Sequence, residues 1–119
     1  MESFEDFLKR KGEKIIKMKD ISRQGFCIFK REAMTFMPQH NTKEKYYIIE
    51  RLKLVELVGQ ITNKNSKIGQ IEYRIGYYIV GKIRKAQNRW MWGQFCPMIP
   101  NEDFKILIDK AYKEKTILK

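Results

Sequence analysis

The sequence has few of the residues that hold metal ions. Among 119 residues it contains one histidine and two cysteines, without the CxxC or HxxxH spacing that is typical of zinc sites. The acidic residues that a hard metal would need are spread along the chain. The one adjacent acidic pair in the second half, Glu102 and Asp103, is explained by the start of a helix. We therefore expect no metal and no cofactor.

Long apolar runs are also missing. No run approaches the roughly 18 residues that span a membrane, and the opening MESFEDFLKRKG carries acids where a secretory signal has an apolar region. These absences predict a cytoplasmic protein without a membrane partner, in which Cys27 and Cys96 are free thiols. Both cysteines follow an aromatic residue, so we interpret them as structural, apolar positions in preference to a catalytic pair with His40.

Catalytic and phosphate-binding motifs are absent as well. Neither GxGxxG nor GxxxxGK[ST] occurs. No glutamate is followed by lysine two residues later, the pattern on a strand of many metal-dependent nucleases; Glu72 with Arg74 is the nearest approach. The sequence therefore favours a non-enzymatic protein, although an enzyme is not excluded.

What the sequence does have is positive charge. It carries 25 Lys and Arg against 14 Asp and Glu, a net charge of +11. The excess is concentrated in residues 63–93, where seven basic residues face one acid, Glu72. Such an asymmetry indicates an acidic partner, of which nucleic acid is the usual example. A lysine-rich surface that only keeps the protein soluble is the alternative.

Both ends of the chain have helix signals. Ser3 with Asp6 resembles a capping box, and Gly12 would end the helix that follows. Near the other end, Pro100 and Asn101 predict the start of a helix. The apolar stripe of that C-terminal helix consists of Phe104, Leu107, Ile108, Ala111 and Tyr112.

Strand patterns fill the middle of the chain. EKIIKMKDI (13–21) and FCIFKREAMTFM (26–37) predict two strands joined by a turn at SRQG, and residues 38–43 predict a loop. For residues 44–61 the pattern is ambiguous, and we expect a short helix or irregular segment followed by a strand over about 52–62. Residues 70–84 alternate clearly, with isoleucine and tyrosine at odd positions and Arg74 and Tyr78 on the opposite face.

The tryptophan segment RWMWGQFCPMIP (89–100) should pair with this alternating strand. If residues 85–88 form the loop, Ile83 lies opposite Trp90 and Gly81 opposite Trp92. Both tryptophans then point inward on the isoleucine face, while Met91 and Phe95 join the arginine face. A one-residue slip would exchange the two faces, so this interpretation depends on the length of the loop.

These elements predict one α+β domain over residues 1–119. A bent antiparallel sheet of about five strands, ending in the hairpin, packs against the C-terminal helix and also against an N-terminal helix. We expect the tryptophan face of the sheet to receive the C-terminal helix.

The functional hypothesis is nucleic-acid binding through a basic, aromatic hairpin. Cations neutralise phosphates and flat aromatic rings stack on bases, so the mixture suits a single-stranded nucleic acid. A basic hairpin could instead enter the groove of a duplex, with Arg84, Lys85 and Arg89 near its tip. Two alternatives stay open. One is a protein-interaction module that oligomerises or binds an acidic partner. The other is a small-ligand pocket lined by Tyr73, Tyr77, Trp90 and Trp92. The residues predicted to contact nucleic acid are Arg74, Tyr78, Lys82, Arg84, Lys85, Arg89 and Phe95.

Overall fold

The α+β prediction is confirmed. A computed structural model describes residues 1–12 and 14–119. It has an N-terminal helix, a C-terminal helix and, between them in the sequence, a five-stranded antiparallel sheet that curls into a half-barrel. The strands lie in the order in which they occur along the chain, so β1 and β5 are the two edges. The elements are α1 (Phe4–Lys11), β1 (Ile15–Lys19), β2 (Gly25–Pro38), β3 (Lys45–Gly59), β4 (Ile71–Val80), a short 3₁₀ turn (Arg84–Ala86), β5 (Trp90–Trp92) and α2 (Asn101–Lys113).

Local capping fixes the first helix, as the sequence predicts. The Ser3 hydroxyl accepts a hydrogen bond of 3.1 Å from the backbone N–H of Asp6. Gly12 ends the helix in the left-handed conformation, with φ of 55°. Phe4 and Phe7 are buried against the sheet. The predicted strand that follows is also present, although its first residue, 13, lies outside the described residues.

The expectation of a helix or irregular segment after residue 44 is wrong. Residues 45–59 form one continuous strand, β3, which pairs with β2 on one side and β4 on the other. Ile48 and Leu52 caused the ambiguity, because residues four apart share a face in a strand as well as in a helix. Val55, which a helix would have placed beside them, is instead exposed on β3.

Each face of the sheet carries one helix. We call the face that α1 covers the α1 face; its core contains Phe4 and Phe7 with Ile48, Val80 and Trp90. The opposite, α2 face has a core of Tyr47, Ile49, Leu107 and Ala111. A third buried cluster, Phe29, Leu52 and Leu54, lies between β2 and β3 and contacts Ile16 and Met18 of β1.

The predicted location of the C-terminal helix is wrong in one respect. The α2 helix exists where the sequence places it, but it packs on the face opposite the tryptophans. Only part of its predicted stripe is needed there: Leu107 and Ala111 are buried, whereas Phe104 and Tyr112 are about half exposed. The tryptophan face is covered by α1 instead.

The predicted hairpin register is also wrong. Trp92 lies opposite Tyr78 and Trp90 opposite Val80, so both tryptophans are on the α1 face with the arginine. The connection is longer than expected because β4 ends at Val80 and residues 81–89 form a compact tip. In this tip Arg84 and Asn88 have positive φ angles, and Gly81 exchanges backbone hydrogen bonds with Asn88 and Arg89. The shift is odd, so the faces exchange.

Only the first part of the tryptophan segment is a strand. Beyond Trp92 the chain is irregular up to α2, and Phe95 and Met98 are exposed rather than packed. Cys96 is exposed, which corrects its expected core location, whereas Cys27 is partly buried. Burial raises the pKa of the Cys27 thiol, so it is less easily converted to the nucleophilic thiolate.

Candidate nucleic-acid interface

A groove runs along α1 and the edge strand β5. Its first part is a cleft of about 430 Å³ to which both edge strands contribute, with Ile16 and Lys17 from β1 and Met91 and Trp92 from β5. Residues of α1 and β4 complete its lining: Phe7, Lys11, Arg74, Tyr78 and Trp90. β1 and β5 are the two edges of the sheet. They line the same cleft because the sheet curls.

A second cleft of about 540 Å³ continues the first. The two share Phe7, Lys11, Trp90 and Met91 in their linings. The further residues of the second cleft are Glu2, Arg10, Asn88 and Arg89. We refer to both clefts together as the α1–β5 groove.

Among the described residues, five cations and one acid line the α1–β5 groove. Arg10 is paired with that acid, Glu2, at 2.9 Å. Within the described part of the chain, Lys11, Lys17 and Arg89 have no carboxylate partner. The Lys17 ammonium lies over the ring of Phe26, 4.0 Å from its centre. No carboxylate of the described residues thus competes with a ligand for these three charges.

The fifth cation, Arg74, is held by a buried carboxylate. Its Nε lies 2.7 Å from Oε1 of Glu50, a β3 residue that is 1% exposed. The other carboxylate oxygen is 3.4 Å from Nη1 of Arg31. The Arg74 guanidinium also lies over the indole of Trp92, with 4.7 Å between the guanidinium carbon and the ring centre. These contacts fix the direction of a charged group at the wall of the groove.

The two tryptophans differ in their surroundings. Trp90 is buried beneath α1, and its indole N–H donates a hydrogen bond of 3.0 Å to the backbone oxygen of Glu2. Trp92 is 38% exposed and meets Tyr78 edge-on, with ring centres 5.1 Å apart. It lies against Gly76, where an added Cβ would collide with the indole. The glycine therefore makes room for Trp92 on the sheet.

The predicted contact residues fall into three groups. Arg74, Tyr78 and Arg89 line the α1–β5 groove. Arg84 and Lys85 lie on the tip between β4 and β5, where they line, together with Arg89, a separate open cleft of about 660 Å³.

Lys82 and Phe95 form the third group, which lies outside both clefts. Lys82 is paired with Glu44 at 2.6 Å. Phe95 follows β5 and is 81% exposed. The small-ligand pocket proposed from the sequence is divided by the sheet, because Tyr77 packs on the α2 face and the tryptophans lie on the α1 face.

Sequence reasoning missed the cations from the N-terminal segment. Lys11 ends α1 and Lys17 lies on β1, more than seventy residues before β5 in the sequence. A signal was present, since Lys9, Arg10 and Lys11 cluster before the helix-ending Gly12. Cations in the last turn of a helix interact favourably with the helix dipole, so the cluster predicts the end of α1. Its location beside the tryptophans follows only from the fold.

A second polar cluster joins the β2–β3 loop to α2. The backbone N–H and the Nδ1 of His40 lie 3.1 and 3.0 Å from the same buried oxygen of Asp103, and its Nε2 lies 3.3 Å from Glu102. The hydrogen bond to Asp103 raises the pKa of His40 above its ordinary 6.5. Nε2 faces a carboxylate rather than a hydroxyl or thiol, so the described contacts of His40 include no Ser, Thr or Cys nucleophile. The cluster connects the β2–β3 loop to α2.

Other site chemistries have little support. Across residues 1–12 and 14–119, no group of three or more His, Cys, Asp and Glu side chains is arranged to hold a metal ion. None of the helices in that part of the chain is long and apolar enough to cross a membrane. Comparison with protein-family models, curated proteins and solved structures found no match to this chain.

Proposed function

We propose that this protein is a non-enzymatic, cytoplasmic nucleic-acid-binding domain whose main contact surface is the α1–β5 groove. The observation that carries the proposal is that five cations and one acid of residues 1–12 and 14–119 surround a partly exposed indole in one recess. Phosphates would meet the cations, and the aromatic surface would meet bases. Of the residues predicted from the sequence, Arg74, Tyr78 and Arg89 belong to this surface.

The cations of the groove suit phosphate contacts for two different reasons. Lys11, Lys17 and Arg89 have no described carboxylate to compete with a phosphate. Arg74 has one, but only its Nε is bonded to Glu50, and its two terminal amino groups make no hydrogen bond to the described residues. A planar guanidinium held in this way presents donors in a fixed direction.

The tip between β4 and β5 provides a secondary contact in this proposal. Arg84, Lys85 and Arg89 project from the connection between β4 and β5, beside the groove. Lys82 contributes less than the sequence suggests, since its charge is paired with Glu44. Phe95 is exposed and lies three residues after the end of β5. It would contact a ligand only if that ligand extended past the end of this strand.

Salt-dependent binding tests the proposal. Fluorescence anisotropy of labelled single-stranded DNA, duplex DNA and RNA is measured across a salt series. If Lys11, Lys17, Arg74 and Arg89 each meet one phosphate of a single strand, log K should fall with log salt with a slope of about −2.8, because each contact contributes about −0.7. Replacing Lys11 and Arg89 by Gln should reduce the slope to about −1.4, the two remaining contacts.

A matched control separates location from net charge. Lys64 and Lys67 lie in the β3–β4 loop, at the opposite end of β4 from the tip, and are exposed. Lys64→Gln with Lys67→Gln removes the same two charges and should leave the slope unchanged. Equal losses in both double variants would mean that only the overall charge attracts nucleic acid. Absence of binding at low salt would refute the proposed function.

An acidic protein partner is the second candidate function. It is favoured by exposed apolar side chains on the α2 face of β4, where Ile75 and Ile79 lie four residues apart with Tyr77 between them. Apolar side chains are enriched in the buried core of protein interfaces. In that case binding of nucleic acid would be absent, and Ile79→Glu would disrupt the complex or any oligomer detected by sedimentation.

A further inference from the structure

We infer that the α1–β5 groove takes a single nucleic-acid strand in preference to a duplex, with a base stacked on the exposed part of Trp92. This inference rests on the proposed function and specifies the form of the ligand. It concerns shared chemistry of single-stranded DNA and RNA, a flexible line of phosphates with bases that can turn outward.

The size of the groove favours a single strand. Its two parts measure about 430 and 540 Å³, within the range of about 300–1,000 Å³ typical of pockets for small molecules. A duplex is normally read the other way round, by a protein element that enters its major groove, which is about 12 Å wide. A recess of nucleotide size with cations in its lining suits a strand whose bases are unpaired.

Trp92 is the more exposed of the two tryptophans that line the groove. Trp92 is 38% exposed, whereas Trp90 is 8% exposed and occupied by its hydrogen bond to Glu2. Arg74 fixes the position of Trp92 by lying over its indole, and Gly76 lets the ring lie close to the sheet. A ring that is already immobilised loses little conformational freedom when a base stacks on it.

The tip between β4 and β5 is the surface that would favour a duplex instead. Arg84 and Lys85 are exposed there and do not line either part of the groove. Binding in the α1–β5 groove and binding at the tip thus have different expected results. If the tip were dominant, binding would depend on Arg84 and Lys85, would not need unpaired bases, and would leave Trp92 unaffected.

Tryptophan fluorescence distinguishes these cases, because the chain has only two tryptophans. In Trp90→Phe, Trp92 is the single emitter; in Trp92→Phe, Trp90 is. The probes are oligo(dT), oligo(U), a DNA duplex and an abasic deoxyribose-phosphate strand of equal length. We expect oligo(dT) or oligo(U) to quench Trp92 in Trp90→Phe, with little quenching of Trp90 in Trp92→Phe. Quenching by only one of the two identifies DNA or RNA as the ligand.

Affinity provides a second readout. Loss of a stacked base costs about 5- to 150-fold in affinity, so Trp92→Leu should weaken binding of oligo(dT) by a factor in that range. It should leave binding of the abasic strand unchanged, since the cations remain. Thermal melting checks that each variant is folded. If Trp90→Phe does not fold, the difference between wild type and Trp92→Phe gives the Trp92 signal.

The outcomes separate this inference from the proposed function. If no probe binds, the proposed function itself fails. If the abasic strand binds as tightly as oligo(dT) and Trp92 is not quenched, nucleic-acid binding stands and the stacking inference is overturned. Tighter binding of the duplex, lost in Arg84→Gln with Lys85→Gln, would also overturn it and assign the contact to the tip.

Discussion

Replacing Glu50 by Gln should destabilise the fold through the two arginines that it binds. Glu50 is 1% exposed, and its ion pairs with Arg74 and Arg31 measure 2.7 and 3.4 Å. The variant keeps the shape of the side chain but leaves both cations without a counter-charge. Breaking a buried ion pair by removing one partner costs about 3–5 kcal/mol.

Partial exposure of the arginines lowers the expected cost. The side chains of Arg74 and Arg31 are 31% and 19% exposed, so water can screen part of their charge. The shorter contact alone corresponds to about 1.5–3 kcal/mol, the contribution of a hydrogen bond to a charged group. We therefore expect the free energy of unfolding to fall by about 2–3 kcal/mol, measured by urea denaturation at neutral pH.

Glu56→Gln is the control for this prediction. Glu56 is on the same strand and exposed, and it has no ion-pair partner among the described residues. Its replacement should change stability by no more than about 0.5 kcal/mol, as is usual for surface substitutions. If Glu50→Gln were as stable as Glu56→Gln, the buried carboxylate would not hold the arginines in the way inferred here.

Two further predictions concern other parts of the fold. Trp90→Ala should lower the free energy of unfolding by about 3–5 kcal/mol, the usual cost of truncating a large buried aromatic ring, because Trp90 is 8% exposed beneath α1. Urea denaturation measures this cost and that of Trp92→Ala. A cost for Trp90→Ala no greater than that for Trp92→Ala would contradict the difference in burial. For His40 the folded-state pKa is raised, chiefly by its hydrogen bond to Asp103, so its stabilising contribution is present below the unfolded value of about 6.5 and is lost as pH rises through the folded value. The thermal midpoint should therefore decrease from pH 6 towards pH 8 by more than in His40→Asn, and parallel pH profiles would refute this.

The ends of the fold could be predicted because local chemistry determines them. Ser3, Asp6 and Gly12 cap α1 through contacts within a few residues. The alternation of β4 is a local pattern too, and it survives in the fold as two faces. By contrast, residues 45–59 combine spacings that suit a strand and a helix, and pairing with both β2 and β4 decides the outcome.

The candidate site was only partly predictable because its main features are tertiary. The tip of the hairpin spans residues 81–89 and is longer than the predicted loop of residues 85–88; Arg84 and Asn88 have positive φ angles there. An odd change of register exchanged the faces, so Trp92 came to lie beside Arg74. Lys11 and Lys17 reach the same groove only because α1 covers the sheet and the sheet curls.

Chemical-shift mapping tests the central claim most directly. In ¹⁵N-labelled protein titrated with oligo(dT), we predict the largest changes at the backbone amides of Lys11, Lys17, Arg74 and Arg89 and at the indole N–H of Trp92. The amides of Lys64 and Lys67, in the β3–β4 loop, should be unaffected. Changes confined to that loop or to the α2 face, with the Trp92 indole signal unmoved, would contradict a nucleic-acid interface in the α1–β5 groove.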